Sequence, residues 1–266
     1  MIGIVYSTKD EVSASAARAI ISEYGLENKG GSFANDRIAV KEIETELTCA
    51  EKADSFGFEV IFFLSKHSSA KGIPAFTTHA TGNWAGKAEL GGKPKELSTA
   101  APASMLAVLA SFGKLDVRIE KGYEATHHGP LLKTPSLFVE LGGNDETRSN
   151  MELQRKLAVA AYESATLTAD KEVDMAKVVI GIGGNHYPSK FSKLAMEKGY
   201  AFSHIMPKYA IMNDDSSDNL DMLEQTLARS ANAPEAAVLE WKSVNSVVRN
   251  KILSRLNEIG LDYEKI

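Results

Sequence analysis

The sequence predicts an α/β protein, a three-layer sandwich built around a mixed, largely parallel sheet. Three observations support this fold class. Apolar, β-branched segments at 2–6, 58–64 and 177–183 have the composition of strands buried on both faces of a sheet. Segments with helical periodicity alternate with such strands along the chain. The 266 residues are 44% hydrophobic, and no repeat or linker divides them, so we expect one domain spanning 1–266.

The elements follow from local patterns in chain order. Polar residues after the first strand can cap a helix, and Pro102 suits the first turn of another. Strands are predicted at 2–6, 58–64, 117–125, 135–141, 177–183 and 235–241. Helices are predicted at 10–24, 102–112, 151–168, 189–198, 218–229 and 243–259.

Cysteine content and the N-terminal segment indicate the cellular compartment. With Cys49 alone, the chain can form neither an internal disulfide nor a four-thiolate zinc site, which favours a reducing compartment. The first ten residues reach Lys9 without a long apolar run, unlike a secretory signal. We therefore expect a cytoplasmic protein that does not bind membranes.

Charge is distributed unevenly along the chain. The formal net charge of -5 argues against a polyanionic partner, but residues 65–212 carry 18 basic and 14 acidic side chains, a net charge of +4. Residues 65–95 contain five lysines and a single acidic residue, Glu89. This patch is either a chance cluster of surface charges or a site that attracts anions.

All six histidines lie in segments rich in Gly, Pro, Ser and Thr, which we interpret as loops. Two of these segments follow the strands at 58–64 and 177–183, and open α/β sheets place their sites at the carboxyl ends of parallel strands. An isolated histidine is most often a hydrogen-bonded surface or core residue. Because imidazole titrates near about pH 6.5, several together can supply an acid, a base or a metal ligand. The histidines are His67, His79, His127, His128, His186 and His204.

Familiar catalytic motifs do not match. GIGGNH places His186 where a dinucleotide fingerprint needs its third glycine, and residues 82–87 lack the spacing and the Ser or Thr of a phosphate loop. The sequence contains no HExxH, GxSxG or CxxC. These absences disfavour a nucleotide-cofactor enzyme and a standard serine hydrolase.

Several longer strings resemble one family. SKHSS at 65–69, PAFTTHATGNW at 74–84, YEATHHGP at 123–130, PSLFVELG at 135–142, GIGGNHY at 181–187 and HIMPKYA at 204–210 are similar to the archaeal-type D-aminoacyl-tRNA deacylases, which also occur in plants. The resemblance implies hydrolysis of the ester between a D-amino acid and the terminal ribose of tRNA. It also implies a fold related to nucleoside phosphorylases and peptidyl-tRNA hydrolases, and bound zinc. We expect a monomer that acts on tRNA and not on DNA.

The resemblance and the residue chemistry together give candidate site residues. Ester hydrolysis needs an activated water, oxyanion donors and a positioning pocket. The predicted catalytic residues are His79, His128, His186, Glu124 and Thr78, with Glu124 or Glu140 orienting an imidazole; Glu140 is equally well explained as a strand carboxylate paired with a neighbour. The predicted substrate-binding residues are Lys66, His67, Thr77, Thr81, Gly82, Asn83, Trp84, His127, Gly129, Gly183, Tyr187 and Lys190. The sequence does not identify the zinc ligands.

The substrate-binding residues have three predicted roles. Hydroxyls, the amide of Asn83 and the backbone N–H groups of the three glycines are donors, although turn chemistry explains the same residues. Trp84 or Tyr187 stacks on an unpaired base, although a core position suits Trp84 equally well. Lysines contact backbone phosphates; the predicted ones are Lys66, Lys71, Lys87 and Lys190.

Three other interpretations compete with the deacylase hypothesis. Another metal hydrolase or a phosphorylase-like enzyme predicts turnover of a small substrate without tRNA. A non-catalytic RNA-binding module predicts tRNA binding with a steep salt dependence and no deacylation. A purely structural domain predicts that the histidine segments are rigid turns.

Overall fold

The computed structural model describes residues 1–67, 72–211 and 219–266. It confirms the predicted fold class, a mixed, largely parallel sheet with helices on both sides. The sequence predicts one sheet, whereas the described strands form a sheet of eight, a sheet of four and a short pair. None of the helices in the described ranges combines the length and the apolar character needed to cross a bilayer.

The described elements have the following bounds. The strands are β1 Ile2–Ser7, β2 Glu27–Asn28, β3 Phe33–Ala34, β4 Ile38–Ile43, β5 Ile61–His67, β6 Ala75–His79, β7 Gly82–Asn83, β8 Glu96–Leu97, β9 Glu120–Tyr123, β10 Ser136–Gly142, β11 Lys177–Ile182, β12 Tyr200–Met206, β13 Ala236–Leu239 and β14 Asp262–Lys265. The helices are α1 Glu11–Glu23, α2 Pro102–Lys114, α3 Asp145–Ser149, α4 Met151–Asp170, α5 Ser189–Lys198, α6 Lys208–Ile211, α7 Leu223–Ala228 and α8 Ser246–Glu258.

The large sheet has the strand order β2-β3-β4-β1-β5-β10-β6-β9. Strand β10 pairs in parallel with β5 and antiparallel with β6, so that Glu140 lies opposite both Ser65 and Thr77. The small sheet, β12-β11-β13-β14, is parallel throughout. The reversal at β6 separates the carboxyl ends of β5 and β6: His67 pairs with Gly142, whereas His79 pairs with Phe138, four residues away.

Two strands that the sequence analysis interprets as loops contain histidines. His79 ends β6 and His204 lies within β12, while His67 ends β5. The segment of β6 lacks the apolar composition of a buried strand, but its backbone groups pair with β10 on one side and β9 on the other. This pairing is set by residues distant in sequence. Lys71 and the first residue of the helix predicted over 218–229 lie outside the described residues.

The central strands have one largely apolar face and one that changes from apolar to polar along its length. The first face packs against α1, α2 and α4. On the second, Ile61 and Phe63 of β5 lead to His67, and Phe138 of β10 leads to Glu140. Burial of each such aromatic or aliphatic side chain contributes about 1.5–3 kcal/mol to stability. The polar half of this face is where the candidate site lies.

The N-terminus of α1 helps to hold the carboxyl end of β5 in place. The N-cap residue Asp10 accepts hydrogen bonds from the backbone N–H of Ser13, at 3.0 Å, and from that of Lys66, at 2.8 Å. One carboxylate therefore satisfies a free helix donor and fixes the residue before His67. Burial raises the pKa of Asp10 against the opposing effect of these two hydrogen bonds.

Candidate active site

Two buried carboxylates form the floor of the site. Glu140 lies on β10, Glu124 follows β9, and they are only 2% and 1% exposed. Glu140 Oε2 lies 3.2 Å from His67 Nδ1 and 3.7 Å from His79 Nε2. Burial would raise the pKa of Glu140, but these two neighbouring imidazoles outweigh burial and hold it well below its ordinary value. Glu140 is therefore a carboxylate at neutral pH.

Five of the six histidines surround these carboxylates. The ring centroids of His79 and His127 are 4.2 Å apart, those of His127 and His128 4.2 Å, and those of His127 and His186 4.6 Å. His67 and His79 come from the large sheet, and His186 follows β11 of the small one. The predicted convergence of histidines from distant segments is thus present, although it lies across the face of β5, β10 and β6 and not at one carboxyl edge.

Glu124 contacts three imidazoles at once. Its Oε2 accepts a hydrogen bond from His186 Nε2 at 2.9 Å and lies 3.7 Å from His127 Nε2, while Oε1 lies 3.3 Å from His67 Nδ1. A carboxylate that accepts from one ring nitrogen fixes the ring orientation and the position of its proton. The geometry therefore suits the orienting function predicted for Glu124.

Backbone carbonyls orient the rings of His127 and His128. His127 Nδ1 donates to the Ala125 carbonyl at 2.8 Å, and His128 Nδ1 donates to the Gly129 carbonyl at 2.6 Å. Burial, followed by repulsion from neighbouring imidazoles, lowers the pKa of His127 well below its ordinary value and that of His128 to about 4. Both rings are neutral at pH 7, so each Nε2 carries a lone pair.

The pKa values of two other rings in the cluster, His67 and His79, shift in the opposite direction. Burial would lower the pKa values of His67 and His79, but their interactions with Glu140 and Glu124 outweigh it and raise both. The buried carboxylates therefore favour the protonated forms of these two imidazoles. The side chain of His79 is fully buried, whereas that of His186 is 30% exposed, so the site has a closed floor and an accessible rim.

Tyrosine hydroxyls complete the rim, and sequence reasoning missed one of them. Tyr187 Oη lies 2.5 Å from His67 Nε2, and Tyr209 Oη lies 3.1 Å from His186 Nδ1. Burial and the charge of Glu124 raise the pKa of Tyr209 to about 12, so that its hydroxyl stays protonated and donates. Tyr209 lies in the HIMPKYA string, and its place in that string was the feature of the sequence that could have identified it as a site residue.

Three buried polar atoms at the floor fit a divalent cation. His79 Nε2, Glu124 Oε1 and Glu140 Oε2 have no hydrogen-bond partner among the residues that the structure describes. Each of these residues offers a ligand atom within 4.8 Å of those of the other two. One nitrogen and two carboxylate oxygens form a donor set that zinc accepts. His79 also belongs to a second such group, with His127 and His128.

A cavity of about 760 Å³ opens beside the cluster. His67, His186 and Tyr187 form its end nearest the imidazoles, and it extends along β6, β9 and α5. A cavity of this size accommodates a drug-sized group.

Side-chain alternation separates the two threonines of β6. Thr77 lines the cavity and lies on the same face of β6 as His79, whereas Thr78 points to the opposite face, where its Oγ1 donates to the Phe138 carbonyl at 2.7 Å. Thr78 is therefore not positioned for the catalytic role that the sequence analysis gives it.

The glycine N–H groups predicted to contact substrate are already used. Gly82 donates to the His128 carbonyl at 2.8 Å, Gly129 to the Leu90 carbonyl at 2.9 Å, and Gly183 to the Met206 carbonyl at 2.9 Å. Gly183, at φ +102°, also has no space for a side chain, since a Cβ there would collide with Ser243 Oγ. These glycines serve tight turns and close packing.

Two polar side chains near β7 join separate loops. Thr81 Oγ1 donates to the Pro130 carbonyl at 2.9 Å, and Asn83 Nδ2 donates to the Gly91 carbonyl at 3.0 Å. Both groups are used within the fold, so the structure does not place them as donors to substrate.

Trp84 is a core residue, as the second of its two predicted roles requires. Its ring is 5% exposed, and Nε1 donates to the Thr126 carbonyl at 2.9 Å. The sixth histidine, His204, packs beside Trp84 and is 0% exposed; burial lowers its pKa to about 4. Neither residue reaches the imidazole cluster.

The predicted phosphate-binding lysines are dispersed. Lys66 is exposed next to His67, and Lys87 lies on an exposed loop with Nζ 4.0 Å from Glu89 Oε1. Lys190 Nζ lies 3.0 Å from Glu240 Oε1 and is paired within the fold. Of these three, Lys66 is the one adjacent in sequence to a residue of the cluster.

Comparisons with known proteins agree with these observations. A family model described as D-aminoacyl-tRNA deacylase matches residues 55–264. The D-aminoacyl-tRNA deacylase of Pyrococcus furiosus is 34% identical, covering 98% of this chain and 99% of that relative, and that of Ignicoccus hospitalis is 34% identical, covering 98% of each. A crystal structure described as a conserved protein of unknown function has a TM-score of 0.88 and 27% identity, covering 100% of this chain and 95% of that one. The chain therefore belongs to the D-aminoacyl-tRNA deacylase family.

Proposed function

We propose that this protein hydrolyses the ester bond between a D-amino acid and the 3′-terminal ribose of tRNA, releasing both. One observation carries the proposal beyond family membership. Five imidazoles and two buried carboxylates meet beside one cavity of about 760 Å³. This arrangement supplies bases, oriented donors and a positioning pocket, which ester hydrolysis requires. A monomer acting on tRNA in the cytoplasm is part of the same proposal.

In the proposed mechanism His128 is the base. Its neutral Nε2 takes a proton as a water oxygen bonds to the ester carbonyl carbon. The bond from that carbon to the ribose oxygen then breaks, and the imidazolium returns the proton to the leaving ribose oxygen. Glu124 holds His186 in a fixed orientation at the rim, where its ring can contact the substrate.

Zinc, which the family resemblance implies, fits the floor of this site. We propose that His79, Glu124 and Glu140 hold it, because each has a buried polar atom without a hydrogen bond and the three residues offer ligand atoms within 4.8 Å of one another. Bound zinc would polarise the ester carbonyl as a Lewis acid. Glu124 has two oxygens, so Oε1 can contact the metal while Oε2 accepts the hydrogen bond from His186 Nε2.

The decisive experiment compares matched D- and L-aminoacyl-tRNAs. Purified protein is incubated with each, with and without a chelator, while ester loss and protein-bound metal are measured. We expect hydrolysis of the D-ester, a much slower reaction with the L-ester, and loss of activity together with metal. Equal hydrolysis of the two enantiomers would contradict the proposed function, and full activity in metal-free protein would contradict the zinc proposal.

A further inference from the structure

The cavity extends away from the imidazoles along β6, β9 and α5. On β6, Thr77 and then Ala75 face it, about 6.6 Å further along the strand for two residues. On β9, Gly122 lies opposite Thr77 and Glu120 opposite Ala75. The side chains of Ala75 and Thr77 on this wall are small, whereas Gly122 lies directly beneath Ser192, whose Oγ would be 2.9 Å from a Cβ at that position.

Helix α5 forms the facing wall. Ser189, Ser192 and Met196 are spaced by three and four residues, which places them on one face of the helix. Ile73 adds a second apolar side chain, and both Ile73 and Met196 are about half exposed. Methionine adapts its shape to different apolar partners. The part of the cavity beside Ile73 and Met196 therefore suits an apolar group of variable shape.

Given the proposed function, we infer that this cavity receives the side chain of the D-aminoacyl group, and that the preferred substrates carry bulky apolar or aromatic D-residues. The ester then lies at the imidazoles, and the side chain lies against Ala75, Ile73 and Met196.

The charges of the lining favour an amino-acid side chain over the RNA. The lining contains one amine, Lys121, whose Nζ donates to the Leu115 carbonyl at 2.7 Å, and one exposed carboxylate, Glu120. Contacts to RNA phosphates depend on available cations, and this cavity provides no excess of them.

Filling the cavity tests this inference. Ala75→Leu fills it from the strand wall and Met196→Trp from the helix wall, while Met151→Trp is the matched control, because Met151 is 78% exposed on α4 and does not line the cavity. The specificity constant kcat/KM is measured on D-Tyr-tRNA and D-Ala-tRNA. Burial of a large side chain is worth about 10- to 100-fold in binding, so we expect each filling variant to lose at least about tenfold on D-Tyr-tRNA. Activity on D-Ala-tRNA stays within about twofold, and the control matches wild type on both.

Two results would overturn the inference. Equal losses on both substrates would mean that the cavity holds a group common to all of them, such as the terminal adenosine. Unchanged activity of both variants on both substrates would mean that no part of the substrate enters it. Thermal unfolding verifies the fold, and if Ala75→Leu fails to fold, Met196→Trp at its half-exposed position decides the question. Wild-type protein that hydrolyses neither D-ester would refute the proposed function itself, separately from any effect of filling.

Discussion

Replacing Glu124 by glutamine removes the charge that joins three imidazoles while it keeps the size of the side chain. Its Oε2 accepts from His186 Nε2 at 2.9 Å, and His67 and His127 lie within 3.7 Å of its two oxygens. A hydrogen bond to a charged group contributes about 1.5–3 kcal/mol, which is about 10- to 150-fold in rate if it is needed in the transition state. We therefore expect kcat on D-Tyr-tRNA to fall about 100-fold.

The assay has a matched control and a clear contrary result. Glu264→Gln makes the same chemical change on β14, where Glu264 accepts from Lys177 Nζ at 2.7 Å, outside the site. The control is expected to keep kcat within about twofold of wild type. Circular dichroism and thermal unfolding verify that both variants fold. If folded Glu124→Gln keeps more than half of the wild-type kcat, the orienting role assigned to Glu124 is wrong.

Three further predictions follow from the site and the core. His79→Ala and Glu140→Gln are each expected to lower protein-bound zinc, measured by atomic emission on dialysed protein; unchanged metal content would exclude these residues as ligands. The pKa of His204 in the folded protein is about 4, below its ordinary value of 6.5. The stabilisation that the neutral, buried ring gives the folded state is therefore complete above pH 6.5 and is lost as the pH falls to 4, which lowers the free energy of unfolding by up to about 3 kcal/mol. Urea unfolding should show a flatter pH dependence for His204→Gln, and identical slopes would refute this. Trp84→Phe removes the hydrogen bond to the Thr126 carbonyl, so we expect the free energy of unfolding to fall by about 1–3 kcal/mol while kcat/KM stays unchanged. Reduced activity in a variant of full stability would instead indicate that Trp84 stacks on a base of the tRNA.

The sequence predicts much of the fold because most elements have strong local signals. The helix at 189–198 has the predicted bounds, and the strands at 2–6 and 177–183 differ from theirs by one residue. Strand β6 was missed because its composition resembles a loop, and it is a strand because two neighbouring strands satisfy its backbone. Tertiary pairing outweighs local propensity in such a segment.

The candidate site was predicted in part. The strings around the histidines correctly pointed to a cluster that includes His79, His128 and His186. The sequence also marked His204, which is buried apart from the cluster and hydrogen-bonded to the Arg229 carbonyl at 2.8 Å. Nothing local distinguishes these histidines, because the difference is one of position in the folded chain.

The sequence by itself determined the α/β class, the family and the residue types available for chemistry. Only the tertiary structure decided which of them meet. Thr77 lines the cavity while Thr78 faces away, and Glu140 lies within 3.7 Å of His67 and His79. The reason is geometric: successive side chains of a strand point to opposite faces, and the register with neighbouring strands decides which side chains share a face. That register is fixed by contacts between residues far apart in the sequence, so no local pattern encodes it.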